Sequence, residues 1–121
     1  MTGRLQEATL LRFVDYGSRV LSVADQLEQK NRSRRVVDQL IGSGTSAGAN
    51  AFEASEGISK REFLKCIGIT AKELNETRYW LLLISKVRWI PDERLAPLLA
   101  ETLELLAIVK AIIVRTRKRT D

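Results

Sequence analysis

The side chains best suited to chemistry are four glutamates at helical spacing. Glu53 and Glu56 form one pair three residues apart, and Glu73 and Glu76 form another. Two such pairs on neighbouring helices can supply the carboxylates of a divalent-metal site, but di-iron bundles complete their ligand sets with Glu-x-x-His pairs. This sequence contains no histidine. We therefore expect solvated or salt-bridged glutamates, and neither a metal nor a cofactor.

The missing histidine also removes the common nucleophilic systems. A Ser-His-Asp triad cannot be assembled, and no glycine-rich phosphate-binding motif follows a strand. Cys66 is the only cysteine and lies among apolar residues, so we expect a small core side chain and a reducing, cytoplasmic location. No signal peptide or membrane-spanning run is evident. We predict a protein that is not an enzyme, with a carboxylate-metal bundle enzyme as the least favoured alternative.

Helices must position these residues. A length of 121 residues with 45% hydrophobic content fits one domain spanning residues 1–121. Apolar residues recur at three- and four-residue steps in four blocks, which predicts an all-α, antiparallel up-down-up-down four-helix bundle. The helices are expected at about residues 5–30, 33–57, 60–88 and 93–117.

Several residues mark the expected helix ends. Ser33 is predicted to cap the second helix, and Gly57 to end it. Ser59 and Glu62 form a capping box that starts the third helix. Pro97 lacks a backbone donor, which predicts either a fourth helix that starts near Pro97 or a kink at that point.

Two helices carry unusual surfaces. The second has a stripe of small residues that includes Gly44, Ala47 and Gly48, and close approach of another helix is favoured over a bent helix. In the fourth helix, residues 98–114 are apolar around more of the circumference than one bundle would bury. Together with the apolar surface near Trp80, this predicts an oligomer.

Charge is concentrated in one part of the chain. The net charge is +5, and residues 59–90 carry seven cations against three carboxylates, whereas the blocks 1–31 and 32–58 are each balanced. With the basic C-terminal run, this excess suits binding of a polyanion, and an ordinary solvated face is an equal alternative. The predicted nucleic-acid contacts are Lys60, Arg61, Lys65, Lys72, Arg78, Lys86, Arg88, Arg115, Arg117, Lys118 and Arg119.

Three segments carry a family resemblance. Residues 43–54 (SGTSAGANAFEA), 59–63 (SKREF) and 71–81 (AKELNETRYWL) occur in order. They resemble the four-helix-bundle proteins encoded in intervening sequences of 23S ribosomal RNA genes, a fold family that includes the accessory variability protein of diversity-generating retroelements. The resemblance implies a homo-pentamer with a positive face. For the retroelement relatives it also implies binding to nucleic acid and a reverse transcriptase, and it supplies no catalytic residues.

Polar residues within these segments need partners if they are partly buried. We predict a structural polar network centred on Asn50 and Glu76, in preference to a ligand site. Its members are Thr45, Ser46, Asn50, Glu53, Lys72, Glu76 and Thr77.

These observations favour an oligomeric scaffold that binds RNA or DNA through its basic surface. The alternative is a protein-interaction module without nucleic-acid binding, for which the apolar surface of the fourth helix and the Trp80 region would be the contact.

Overall fold

A computed structural model describes residues 5–120, and this part of the chain is built from helices alone. The four helices are α1 (Glu7–Gln29), α2 (Arg34–Ser55), α3 (Lys60–Lys86) and α4 (Asp92–Lys118). Each packs against the next in the chain, and α4 closes the bundle against α1 along the thinnest of the four seams. Short linkers reverse the direction of the chain between consecutive helices. They comprise residues 30–33, 56–59 and 87–91. The predicted all-α antiparallel bundle is confirmed.

The predicted caps are present at the starts of α2 and α3. Ser33 Oγ accepts a hydrogen bond from the Val36 amide at 3.4 Å, and Ser59 Oγ accepts one from the Glu62 amide at 3.1 Å. These bonds satisfy amides that have no partner within the helix. Directly after α2, Gly57 passes close to Phe63, where an added Cβ would lie 3.3 Å from the Phe63 nitrogen.

The fourth helix starts earlier than Pro97. It begins at Asp92 and continues through Pro97 without interruption. Pro97 cannot donate to the carbonyl of Glu93, but both residues are exposed, so water can reach that carbonyl. Exposure therefore lets the helix tolerate the missing bond.

Helices α1 and α3 end in the same way. After α1, Asn31 adopts φ 55°, and the Arg32 amide donates to the Leu27 carbonyl at 3.0 Å. After α3, Arg88 adopts φ 61°, and the Trp89 amide donates to the Ile84 carbonyl at 3.1 Å. Both ends are Schellman motifs, whose left-handed position is usually glycine. An arginine there costs on the order of 1 kcal/mol.

Close packing of α1 and α2 depends on glycine. A Cβ built on Gly44 would lie 2.5 Å from Val20 Cγ1, and one built on Gly48 would lie 3.3 Å from Phe13 Cβ. Val20 is fully buried and cannot move aside into solvent. The prediction that the small-residue stripe permits close helix approach is confirmed at these two positions.

A buried group of hydroxyls crosses the core, and each helix contributes one. Tyr16 Oη lies 2.7 Å from Thr102 Oγ1, and Thr77 Oγ1 lies 2.9 Å from Ser43 Oγ. Because Thr102 uses its proton on the Leu98 carbonyl at 2.8 Å, Tyr16 is the donor to Thr102. Burial raises the pKa of Tyr16 to about 12, because the charged phenolate is disfavoured away from water. We call these four residues the hydroxyl layer.

The first prediction concerns Gly44. Replacing it with alanine forces Cβ against Val20, and we expect the free energy of unfolding to fall by about 1 to 3 kcal/mol. Gly42 lies on the same helix with nothing within 4 Å of an added Cβ, so Gly42→Ala should instead stabilise the protein by about 0.5 to 1 kcal/mol. Urea unfolding of the two variants checks this, and equal effects would show that α1 and α2 do not need the close approach.

The second prediction concerns pH. Above pH 10 the unfolded chain loses the Tyr16 proton while the folded chain, with its pKa near 12, retains it. Stability should therefore be unaffected by this group below pH 10 and should fall by roughly 2.5 kcal/mol as the pH rises to 12. Tyr16→Phe removes that contribution, so the stability difference between the two proteins should shrink over this interval. Parallel pH profiles in urea unfolding would contradict the assignment.

Candidate nucleic-acid interface

The predicted cations of α3 form a stripe along its outer side. Six of them lie within α3: Lys60, Arg61, Lys65, Lys72, Arg78 and Lys86. At 3.6 residues per turn they fall within an arc of about 140°, on the side turned away from the buried residues. All are exposed except Lys60, which is half-buried. Since α3 has 27 residues, the stripe is about 40 Å long.

The C-terminal cations join one end of this stripe. Lys60 Nζ donates to the Arg119 carbonyl at 2.6 Å, which holds the end of the chain beside the start of α3. Arg119 therefore lies beside the start of the stripe, and the other three predicted contacts of this segment are in the last turn of α4, namely Arg115, Arg117 and Lys118. Arg88 follows α3 at the opposite end of the bundle, so the predicted residues are spread along one side rather than gathered into a compact site.

Three further cations lie near Arg88 and were not predicted from the sequence. Lys30 and Arg32 come from the α1–α2 linker, and Arg94 comes from the first turn of α4. They belong to segments whose total charge nearly cancels, so sums over blocks of sequence hid them. The topology was the available signal, because in an up-down-up-down bundle the ends of α1 and α3 lie at the same end.

Other cations of the bundle form ion pairs with carboxylates. Arg12 on α1 donates two hydrogen bonds to Glu101, at 3.1 and 2.7 Å, and one to Glu104 at 2.8 Å, which ties α1 to α4. The hydrogen bonds to Glu101 and Glu104 raise the pKa of Arg12 further above its ordinary value. Arg34 pairs with Glu28 at 2.5 Å. These arginines are less available to a polyanion than the stripe on α3.

The predicted polar network needs correction. Asn50 Nδ2 donates to the Ser46 carbonyl at 3.0 Å and to Ser46 Oγ at 3.1 Å, so its bonds stay within α2. Glu76 accepts from Trp80 Nε1 at 3.1 Å, within α3. Asn50 and Glu76 are only half-buried and point to the edges of their helices.

The bonds that link α2 to α3 come from the buried faces. Thr70 Oγ1 donates to the Ala47 carbonyl at 2.9 Å, and Thr77 meets Ser43 in the hydroxyl layer. Thr77 was a predicted member of the polar network, whereas Ser43 and Thr70 were not predicted to belong to it. Thr45 bonds the Ile41 carbonyl of its own helix at 2.7 Å, and the remaining two predicted members, Glu53 and Lys72, are exposed.

The glutamate pairs do not converge. Within residues 5–120, no group of three or more histidine, cysteine, aspartate or glutamate side chains is arranged to hold a metal ion. Glu53 and Glu56 are exposed, while Glu73 and Glu76 are half-buried. Cys66 is half-buried and packs against the hydrophobic core.

Apolar surface remains on the outside of the bundle. Leu103 and Val114 on α4 are 48% and 49% exposed, and they continue a ridge of small exposed residues that includes Ala100, Ala107 and Ala111. We call this the α4 ridge. On α3, Leu82 is 47% exposed, next to Tyr79, which contacts Trp80 edge to face with ring centroids 5.0 Å apart.

An apolar groove lies between α1 and α2. Its volume is about 390 Å³, and its rim carries the exposed side chains Val14, Leu21 and Phe52. The floor contains Gly17 and Gly48, whose missing side chains open the space. We call this the α1–α2 groove.

Comparison with known proteins agrees with this architecture. A protein of unknown function from the S23 ribosomal protein family of Bacteroides thetaiotaomicron, with a crystal structure at 1.70 Å resolution, is 28% identical. The match covers 87% of this chain and 97% of that chain, with a TM-score of 0.84. No curated protein is significantly similar to the chain. Within residues 5–120, no helix is long and apolar enough to cross a membrane.

The fold and its surfaces define an all-helical bundle with a basic stripe and uncovered apolar faces. The sequence model for the 23S rRNA-intervening sequence proteins matches residues 12–111. The chain therefore belongs to this family, which confirms the resemblance carried by its central segments.

Proposed function

We propose that this protein is a non-enzymatic cytoplasmic scaffold that assembles into a homo-oligomer and binds RNA or DNA through the α3 stripe. The supporting observation is the stripe itself, in which the cations of α3 lie exposed on one side of a helix about 40 Å long. None of them forms a salt bridge with a carboxylate in the described part of the chain. Such a row suits the regularly spaced phosphates of a polynucleotide.

Assembly is supported by two apolar surfaces of complementary shape. The α4 ridge is narrow, because most of its members are alanine, and the α1–α2 groove is concave and almost wholly apolar. We place the ridge of one copy in the groove of the next. The two surfaces are different parts of one subunit, so the contact is head to tail, which closes into a ring when the rotation permits. Five subunits is the number implied by the family resemblance.

A ring would also repeat the α3 stripe around its circumference. Each copy then presents the same charge to the same polymer, so weak contacts reinforce one another.

The alternative function, protein binding without nucleic acid, rests on the apolar surface around Leu82 and Tyr79. Leu82 is as exposed as Leu103, and nothing in the described chain covers it. This function requires a protein partner whose binding survives neutralisation of the stripe and is abolished in Leu82→Lys.

The third prediction tests the assembly. Leu103→Lys places a charge on the ridge, and Val14→Lys places one in the groove, so each variant should be monomeric by light scattering. Mixed together they should form dimers, because one variant retains an intact groove and the other an intact ridge. Leu82→Lys is the matched control, with equal exposure, and should keep the wild-type mass. A monomeric wild-type protein at micromolar concentration, or a mixture that stays monomeric, would refute the head-to-tail contact.

The fourth prediction tests nucleic-acid binding. Lys65→Gln combined with Lys72→Gln removes two cations from the middle of the stripe. The affinity for a structured RNA should drop, and the slope of log K against log salt should decrease by roughly 0.9 for each phosphate that the protein no longer neutralises. Arg34→Gln with Arg35→Gln removes the same charge from α2 and should have little effect. Unchanged affinity and salt dependence in the stripe variant would count against this surface.

A further inference from the structure

A pocket at one end of the bundle combines cations with an aromatic ring. It lies where α1 and α3 end and where α4 begins, and its volume is about 370 Å³. Four cationic side chains line it together with Trp89 and Gln26: Lys30, Arg32, Arg88 and Arg94. No carboxylate belongs to the lining. We call it the end pocket.

The charge of the end pocket is not compensated. None of its four cations forms a salt bridge with a carboxylate of residues 5–120, in contrast to Arg12, Arg19 and Arg34 elsewhere on the bundle. Two carboxylates lie nearby, Asp92 and Glu93. They line a neighbouring depression that Arg88 also borders, and Asp92 accepts a hydrogen bond from Ser85. Four like charges around one cavity repel one another unless an anion lies between them.

Two of the four cationic side chains, Arg32 and Arg94, contact neighbouring side chains of the pocket. Arg94 Nη1 donates to Gln26 Oε1 at 3.1 Å, which links α4 to α1 across the pocket. The guanidinium carbon of Arg32 lies over the Trp89 ring, 5.3 Å from its centroid, in a cation–π contact. The backbones of Arg32, Arg88 and Trp89 are fixed by the two Schellman motifs. Restricting these side chains in advance lowers the entropy cost of binding.

We propose that the end pocket binds a single nucleotide unit. Its phosphate lies among Lys30, Arg88 and Arg94, and its base stacks on the outer face of the Arg32 guanidinium, which is supported from below by Trp89. Arginine planes and aromatic rings are the surfaces on which unpaired bases stack. The volume is near the lower limit of small-ligand pockets, which suits one nucleotide and excludes a duplex.

This site is distinct from the α3 stripe and goes beyond the function proposed above. The stripe contacts a polynucleotide backbone, whereas the end pocket recognises a phosphate together with its base. The same chemistry is offered by a free nucleoside 5′-phosphate and by the 5′-phosphorylated end of an RNA strand.

The backbone at Arg88 supports the assignment. The left-handed φ of 61° is unfavourable for an arginine, and glycine would fit this helix end better. Strain of this kind occurs at binding sites, where a side chain is needed at that position. The arginine places its charge at the mouth of the pocket, which glycine cannot do.

The fifth prediction is tested by Trp89 fluorescence. In a Trp80→Phe background Trp89 is the only tryptophan, and we expect AMP, or a trinucleotide RNA with a 5′-phosphate, to change its emission. Lys30→Gln with Arg94→Gln should weaken binding at least tenfold, whereas Lys65→Gln with Lys72→Gln, on the stripe, should not. Calorimetry of AMP with the wild-type protein gives the same comparison without the Trp80 substitution. No signal from either probe at millimolar concentration and low salt would overturn the proposal.

Three further measurements test the identity of the ligand and the role of Arg88. Tighter binding of the 5′-phosphorylated trinucleotide than of AMP supports a strand end, and equal binding supports a free nucleotide. Inorganic phosphate binding as tightly as AMP would overturn the nucleotide assignment. Arg88→Gly should raise the urea midpoint yet weaken AMP binding, and a gain in stability with unchanged affinity would refute a binding role for Arg88.

The experiments distinguish the end pocket from the α3 stripe, so either proposal can be contradicted without the other. Loss of structured-RNA binding in the stripe variant with normal AMP binding supports both sites. Normal RNA binding with no AMP response would support the stripe as a binding site and contradict the end pocket as one.

Discussion

Buried hydroxyl groups in the centre of the bundle must find their partners within it, because no water reaches them and an unmade bond there is costly. Tyr16, Ser43, Thr77 and Thr102 meet this requirement together, one from each helix. Hydrogen bonds depend on distance and direction, so these pairs add a geometric constraint to the close packing of the apolar side chains. The two hydroxyl pairs therefore constrain how far α1 is shifted along α4 and how far α2 is shifted along α3.

Two surface features depend on how the helices are placed against one another. The end pocket exists because residues from the ends of α1 and α3 meet the first turn of α4 at one level. The groove exists because Gly44 and Gly48 let α1 and α2 approach closely, while Gly17 leaves the outer side open. A shift of one turn in α4 would move Arg94 by about 5 Å and break the cluster.

Much of the fold could be predicted from the sequence, because helix period, caps and turn residues are local signals. Ser33, Ser59 and Gly57 marked real boundaries. The sequence left open whether α4 starts near Pro97 or is kinked there. A proline removes a hydrogen bond, but the sequence does not show whether water replaces that bond. The polar network was misassigned because spacing shows which residues share a helix face, but not how close each lies to the edge. Asn50 and Glu76 are at edges, and Ser43 and Thr70 are at the centre. The end pocket was invisible because its cations come from three separate segments.

Pro97 weakens the connection between the first turn of α4, which forms one wall of the end pocket, and the rest of the helix. Pro97 leaves the Glu93 carbonyl without a helical partner, so the first turn of α4 is joined to the rest of the helix by one bond fewer than its neighbours. That turn carries Arg94. It can therefore unwind at lower cost than any segment in the middle of the helix, with its amide hydrogens exchanging sooner, while the hydroxyl layer stays intact. One side of the end pocket is thus attached by a hinge, and the other two sides rest on the closed ends of α1 and α3.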